Sequence, residues 1–189
     1  KKVRRCLAED DEKIIMHVSN FRPVKRVQDV ILAFNLIRLD VPSKLIMIGE
    51  GEERSAAERL AKERGLEKRV RFLGNREGVA ELLSAADLFL LPSDYETFGL
   101  AALEAMACGV VPLSTNKGGP GELIEDGVDG MLCDVGDPAC LAEKSVRLLK
   151  DPGKMAAMRQ AGLKKVGEKY TAEAVVPLYE KYYEKILAS

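Results

Sequence analysis

A single histidine among 189 residues, His17, speaks against a Ser-His-Asp triad or a two-histidine metal site. Cysteine is scarce as well: Cys6, Cys108, Cys133 and Cys140 are scattered, with no Cys-x-x-Cys pair. That scatter predicts unpaired, buried thiols in a reducing compartment, and neither a disulfide nor a zinc site. No apolar run approaches the roughly 20 residues of a bilayer span, and the basic residues 1–5 lead into no signal-like apolar core. A soluble, cytoplasmic chain without an integral membrane segment is therefore expected. Charge of one sign is missing too, since 29 Lys and Arg stand against 30 Asp and Glu for a net charge of -1. Such a balance gives no broad field for nucleic acid, although a small anion held by local geometry remains compatible. There is no repeat of solenoid period, no low-complexity linker and almost no hairpin signal.

What is present is regular alternation. Apolar runs predict strands at 14–19, 44–48, 70–73, 88–91, 110–114 and 130–133. Apolar stripes at helical spacing predict helices at 27–39, 54–64, 79–86 and 98–107, with 138–149, 153–169 and 172–187 closing the chain. Pro42-Ser43, Gly65 and Gly109 supply the stops. Residues 1–13 read as charged and irregular, and 122–124 as a short apolar turn. The expected fold is α/β, a Rossmann-like doubly wound parallel sheet of about six strands. One domain is expected over 1–189, with a core at about 14–150 and C-terminal helices at 153–189. A chain that begins just before a buried strand reads as a domain cut from something longer. The last helix carries Val175, Val176, Leu178, Tyr179, Tyr182, Tyr183 and Ile186, a broad apolar face that needs a covering surface.

In an open parallel sheet, ligands bind beyond the carboxyl ends of the strands. After the first strand a dinucleotide enzyme would show Gly-x-Gly-x-x-Gly, but this chain has Ser19-Asn-Phe-Arg-Pro-Val-Lys-Arg26. Arg22 and Lys25 could neutralise a departing diphosphate, or they could be a solvated basic loop. His17 reads as a strand residue with a satisfied ring, the alternative being a catalytic part at the end of that strand. Glu96 falls just before the fourth helix and Glu104 in its second turn, among Leu100, Ala101, Ala102, Leu103 and Ala105. A lone acid there would either accept hydrogen bonds from a vicinal diol such as a ribose or form a buried ion pair. The free N–H groups of Phe98, Gly99 and Leu100 would face an anion. Gly49-Glu-Gly51 and Gly118-Gly119 lie at the same edge, as plain turns or as close-approach loops.

The stretch from Pro92 to Gly109 has the form Pro-Ser-x-x-Glu-x-Phe-Gly-Leu-x-x-Leu-Glu-Ala-Met-Ala-Cys-Gly. It resembles the signature of retaining family-four glycosyltransferases, and the likeness extends through Phe72-Leu-Gly74 and Gly118-Gly119 to Gly130, about 14–149 in all. The resemblance implies a GT-B architecture of two Rossmann-like domains, with the nucleotide sugar bound mainly by the C-terminal one. This chain is similar to that donor-binding half, so an N-terminal acceptor domain is the implied partner. The implied reaction moves a hexose or N-acetylhexosamine from a nucleotide diphosphate sugar such as UDP-sugar, with no cofactor and no metal. By the same resemblance, Glu104 takes the ribose hydroxyls and Glu96 the donor-sugar hydroxyls. Phe98, Gly99 and Leu100 contact diphosphate and sugar through their amides, Lys25 with Arg22 steadies the leaving group, and Asn75 and Arg76 border the base. The family's usual first loop is Gly-Arg-Leu followed by a lysine, so Asn20 occupies the aligned arginine position, a form similar to that of one bacterial subgroup. The later loop, usually Gly-Gly-x-Pro-Glu, is Gly118-Gly-Pro-Gly-Glu122 here. Two other readings are a nucleotide-binding module inactive without its other half, and a nicotinamide-dependent oxidoreductase, which the first loop disfavours.

Overall fold

The computed structural model describes residues 2–187. Its strands are β1 (Lys13–Val18), β2 (Ser43–Ile48), β3 (Val70–Gly74), β4 (Leu88–Leu91), β5 (Val111–Thr115) and β6 (Met131–Cys133). Its helices are α1 (Lys2–Leu7), α2 (Val27–Asp40), α3 (Arg54–Glu63), α4 (Val79–Leu83), α5 (Leu100–Ala107), α6 (Gly119–Leu123), α7 (Pro138–Leu149), α8 (Pro152–Lys169) and α9 (Ala172–Leu187). Every strand pair is parallel and the order is β3-β2-β1-β4-β5-β6. The doubly wound, Rossmann-like sheet expected from the alternation is thus the one observed. The chain builds outward from β1 to β3, then restarts on the other side of β1 with β4. At that reversal the loops after β1 and β4 turn to opposite faces and leave a crevice between them.

The strands read as continuous apolar runs because both faces of the sheet are covered. On one face Ile15, Leu45, Met47, Leu88 and Leu90 pack with α2, α3 and α7; on the other Ile14, Met16, Ile46, Phe89 and Leu91 pack with α5. Alternation along each strand delivers one set of side chains to each face.

Three expectations need correction. Residues 2–7 are helical, held by tertiary contacts and not by a local signal: Leu7 is buried, and the Arg4 guanidinium donates to the Ala85 carbonyl at 2.8 Å and pairs with Asp87 at 2.9 Å. The apolar turn at 122–124 is the end of α6, which Pro120 starts by fixing φ in its first turn and which buries Leu123. The thiols are not all buried and unpaired. Cys133 and Cys140 form a disulfide with Cα atoms 6.1 Å apart, Cys6 is exposed, and Cys108 is half-buried. The pairing follows from a cap: the Asp137 side chain accepts from the Cys140 N–H at 2.8 Å and folds the first turn of α7 back over the end of β6.

Helix α9 buries none of its residues, so Val176, Leu178, Tyr179, Tyr182 and Tyr183 stay exposed. Among the described residues no helix is long and apolar enough to cross a membrane.

Candidate functional site

The crevice between the β1 and β4 loops is a cleft of about 590 Å³ lined by Ser19, Asn20, Lys25, Glu96 to Ala101 and Glu104. Its first wall is the loop after β1. Phe21 is driven into the core, fully buried at φ 36°, with its ring 5.9 Å from that of His17 and 6.4 Å from that of Phe72. That anchor leaves Asn20 and Arg22 exposed on either side. Pro23–Lys25 then forms one 3-10 turn, and Arg26 at φ 47° redirects the chain into α2. The turn aims Lys25 across the crevice, where Nζ donates to Glu96 Oε1 at 2.6 Å. Ser93, fully buried, donates its hydroxyl to the same oxygen at 2.8 Å.

His17 is structural at this edge. Its Nδ1 lies 2.8 Å from the Leu90 carbonyl, so that nitrogen carries the proton. Nε2, 2.7 Å from Ser19 Oγ, then accepts from the hydroxyl. Burial, above all, pushes the imidazole down from its usual 6.5 to about 4, and nearby Lys25 pushes the same way. The ring is thus neutral and ties β1 to β4 just below the cleft floor.

The second wall is the loop after β4 with the start of α5. Gly99 at φ 87° caps the helix, its carbonyl accepts from the Ala102 and Leu103 N–H groups, and the N–H groups of Leu100 and Ala101, which line the cleft, are left without intrahelical acceptors. Glu104 lies one turn further on. It is exposed and pairs with no cation among the described residues, so the ion-pair alternative finds no support. The crevice therefore presents one lysine, two carboxylates and a helix N-terminus, a set suited to a ligand that joins an anion to hydroxyl groups.

The glycine loops act from behind. A Cβ at Gly49 would fall 1.7 Å from the Ser19 carbonyl oxygen, and one at Gly119 would fall 2.2 Å from Phe98 Cα. The Gly119 N–H also donates to the Glu96 carbonyl at 2.8 Å. The glycines after β2 and β5 thus allow the protein's own backbone to close in on both walls, whereas the sequence offered only turns or ligand approach.

Of the residues expected at the site, Asn20, Lys25, Glu96, Phe98, Gly99, Leu100 and Glu104 come together. Arg22 is exposed on the turn and, among the described residues, forms no ion pair; Asn75 and Arg76 are exposed after β3; none of the three lines the cleft. Ser19, Thr97 and Ala101 line it without having been singled out. Their only signal was position, beyond the ends of β1 and β4.

Comparison with known proteins bears on what such a cleft holds. The family described as "Glycosyl transferases group 1" matches residues 1–165. The chain is 45% identical over 178 residues to the N-acetyl-alpha-D-glucosaminyl L-malate synthase of Bacillus anthracis, covering 94% of this chain and 47% of that protein. It superposes on Anabaena Alr3699/HepE solved in complex with UDP with a TM-score of 0.89 at 27% identity, covering 100% of this chain and 52% of that one. The C-terminal domain of the glycosyl transferase group 1 protein LpcC from Francisella tularensis matches with a TM-score of 0.76 at 26% identity, over 85% of this chain and 87% of that domain. The chain thus spans about half the length of the curated relative.

Proposed function

The chain belongs to the glycosyl transferases group 1 family, and from that premise we propose that it is the donor-binding half of a retaining glycosyltransferase using a UDP-sugar. The observation that carries the reading is a convergence: Lys25 and Glu96, 71 residues apart in sequence, meet at the N-terminus of α5 with Glu104 beside them. In this reading the α5 amides and Lys25 hold the diphosphate, Glu104 accepts from the ribose hydroxyls, and Glu96 accepts from hydroxyls of the transferred hexose or N-acetylhexosamine. Arg22 adds positive charge near the leaving group, Asn20 borders it, and Asn75 and Arg76 face the base side. The bond from the anomeric carbon to the diphosphate oxygen breaks and the acceptor oxygen bonds on the same face, its proton passing to the diphosphate. Lys25 stabilises the charge that develops, a role that needs no metal. The acceptor site belongs to a further, N-terminal domain.

The nicotinamide-dependent alternative lacks support, because the family and the similar proteins are glycosyltransferases. Parallel calorimetric titration with UDP, ADP and NAD tests the reading. UDP is expected to bind and NAD not to; NAD binding without UDP binding would overturn it. Transfer of sugar to an acceptor by this chain alone would show that no further domain is needed.

A further inference from the structure

Arg26 sits where a side chain is unfavourable. At φ 47° and ψ 45° it adopts the left-handed conformation that L-residues other than asparagine and aspartate seldom take. A glycine would suit the backbone better, so the guanidinium needs a reason to be there. It has two partners on two different elements. Nε donates to Asp29 Oδ2 at 2.6 Å, one turn along α2, and NH1 donates to Asp94 Oδ1 at 3.0 Å, on the loop after β4. The first contact is local and could serve α2 alone. The second crosses from the β1 loop to the β4 loop beside the cleft.

The crossing has a companion. The Asp94 N–H donates to the Val24 carbonyl at 2.8 Å. The segments Val24 to Arg26 and Asp94 to Glu96 are thus joined at three points: Arg26 to Asp94, Val24 to Asp94, and Lys25 to Glu96. Only the last of these involves the groups that a ligand would engage. When a diphosphate draws Lys25 off Glu96, the other two joints remain.

We propose that Arg26 is a positioning residue that staples the Lys25 loop to the Glu96 loop, keeping both in reach of a nucleotide sugar while their own ion pair is broken. The proposal rests on the nucleotide-sugar reading above and adds to it a residue that touches no substrate. Arg26 does not line the cleft, so its effect must pass through Lys25 and Glu96.

A double-mutant cycle tests this on the chain itself, with UDP as the probe. Arg26→Gly removes the guanidinium and suits the left-handed backbone, but it leaves the buried Asp29 carboxylate without its cation, so its melting temperature should fall, whereas Asp94→Asn keeps that pair and should melt close to the wild type. Its UDP affinity should fall about fivefold, the effect of a partly exposed ion pair. In a Lys25→Ala background the same change should alter affinity by less than about twofold, because the group it positions is gone. Asp94→Asn breaks only the crossing prong and should reproduce most of the loss, and it carries the test if Arg26→Gly does not fold. A merely structural Arg26 would cost the same factor of affinity in both backgrounds; that result, or unchanged affinity in both Arg26→Gly and Asp94→Asn, overturns the proposal. A wild-type chain that binds no UDP overturns the nucleotide reading itself, a distinguishable failure.

Discussion

Replacing Glu96 by glutamine should favour UDP over a UDP-sugar. Lys25 and Glu96 are 2.6 Å apart, with side chains only 20% and 12% exposed. At an effective dielectric of 20 such a pair attracts by roughly 6 kcal/mol, most of it offset by the water both groups give up. What remains is about 1.5–3 kcal/mol, the worth of a hydrogen bond between charged groups. A diphosphate that recruits Lys25 has to loosen this contact first. Glutamine keeps the size of Glu96 and can still accept from Ser93, which now lies 2.8 Å from the carboxylate, but it holds Lys25 far less tightly. UDP should therefore bind Glu96→Gln about tenfold more tightly, or about 1.4 kcal/mol, toward the low end because an ammonium has three protons to share. A UDP-sugar should gain less or lose, since its hydroxyls meet a neutral acceptor in place of a carboxylate. The readout is calorimetry with UDP and UDP-glucose at fixed ionic strength, repeated in a Lys25→Met background where the gain for UDP should vanish. Unchanged or weaker UDP binding in Glu96→Gln would refute the reasoning, because the ion pair would then not compete with the ligand.

Other outcomes follow from the same geometry. Glu104→Gln should weaken UDP by about 1–3 kcal/mol in calorimetry and leave the melting temperature nearly unchanged, because the carboxylate is exposed. Gly119→Ala should lower stability by about 1–3 kcal/mol in urea titration and weaken UDP as well, since its Cβ would meet Phe98 Cα at 2.2 Å and push the cleft wall. His17, held to about 4 when folded against 6.5 when free, binds a proton only in the unfolded chain between those values. Stability should therefore fall as pH drops from 6.5 toward 4, by about 3 kcal/mol from this residue, and His17→Gln should flatten that slope in denaturant titrations.

The fold was legible in the sequence because nearly every strand announces itself as an apolar run covered on both faces. The elements that were missed, α1 and α6, are short and held by distant partners: Arg4 reaches Ala85, and Pro120 follows a glycine pair that packs on the β4 loop. The disulfide escaped notice because its spacing matches no metal or redox motif, and the Asp137 cap that closes it is visible only in three dimensions. At the site, the motif from Pro92 to Gly109 marked Glu96, Glu104 and the start of α5. Arg26 carried no such mark. A left-handed backbone at arginine and a salt bridge across 68 residues leave no periodic trace.

The cleft also lies over the shortest strand ladder of the sheet. Strands β1 and β4 share only the pairs Ile15 with Leu88 and Met16 with Phe89, whereas β1 and β2 are in register from Lys13 to Val18. Closing that ladder joins segments more than seventy residues apart, the longest loop closure between neighbouring strands of the sheet. A ligand that bridges the β1 and β4 loops therefore acts as a stitch across the joint between two halves of the sheet. Amide exchange in β1 and β4 should slow when nucleotide is added, by a factor set by its concentration relative to Kd. The joint that His17, Val24 and Arg26 already tie would gain one more tie in a bound nucleotide.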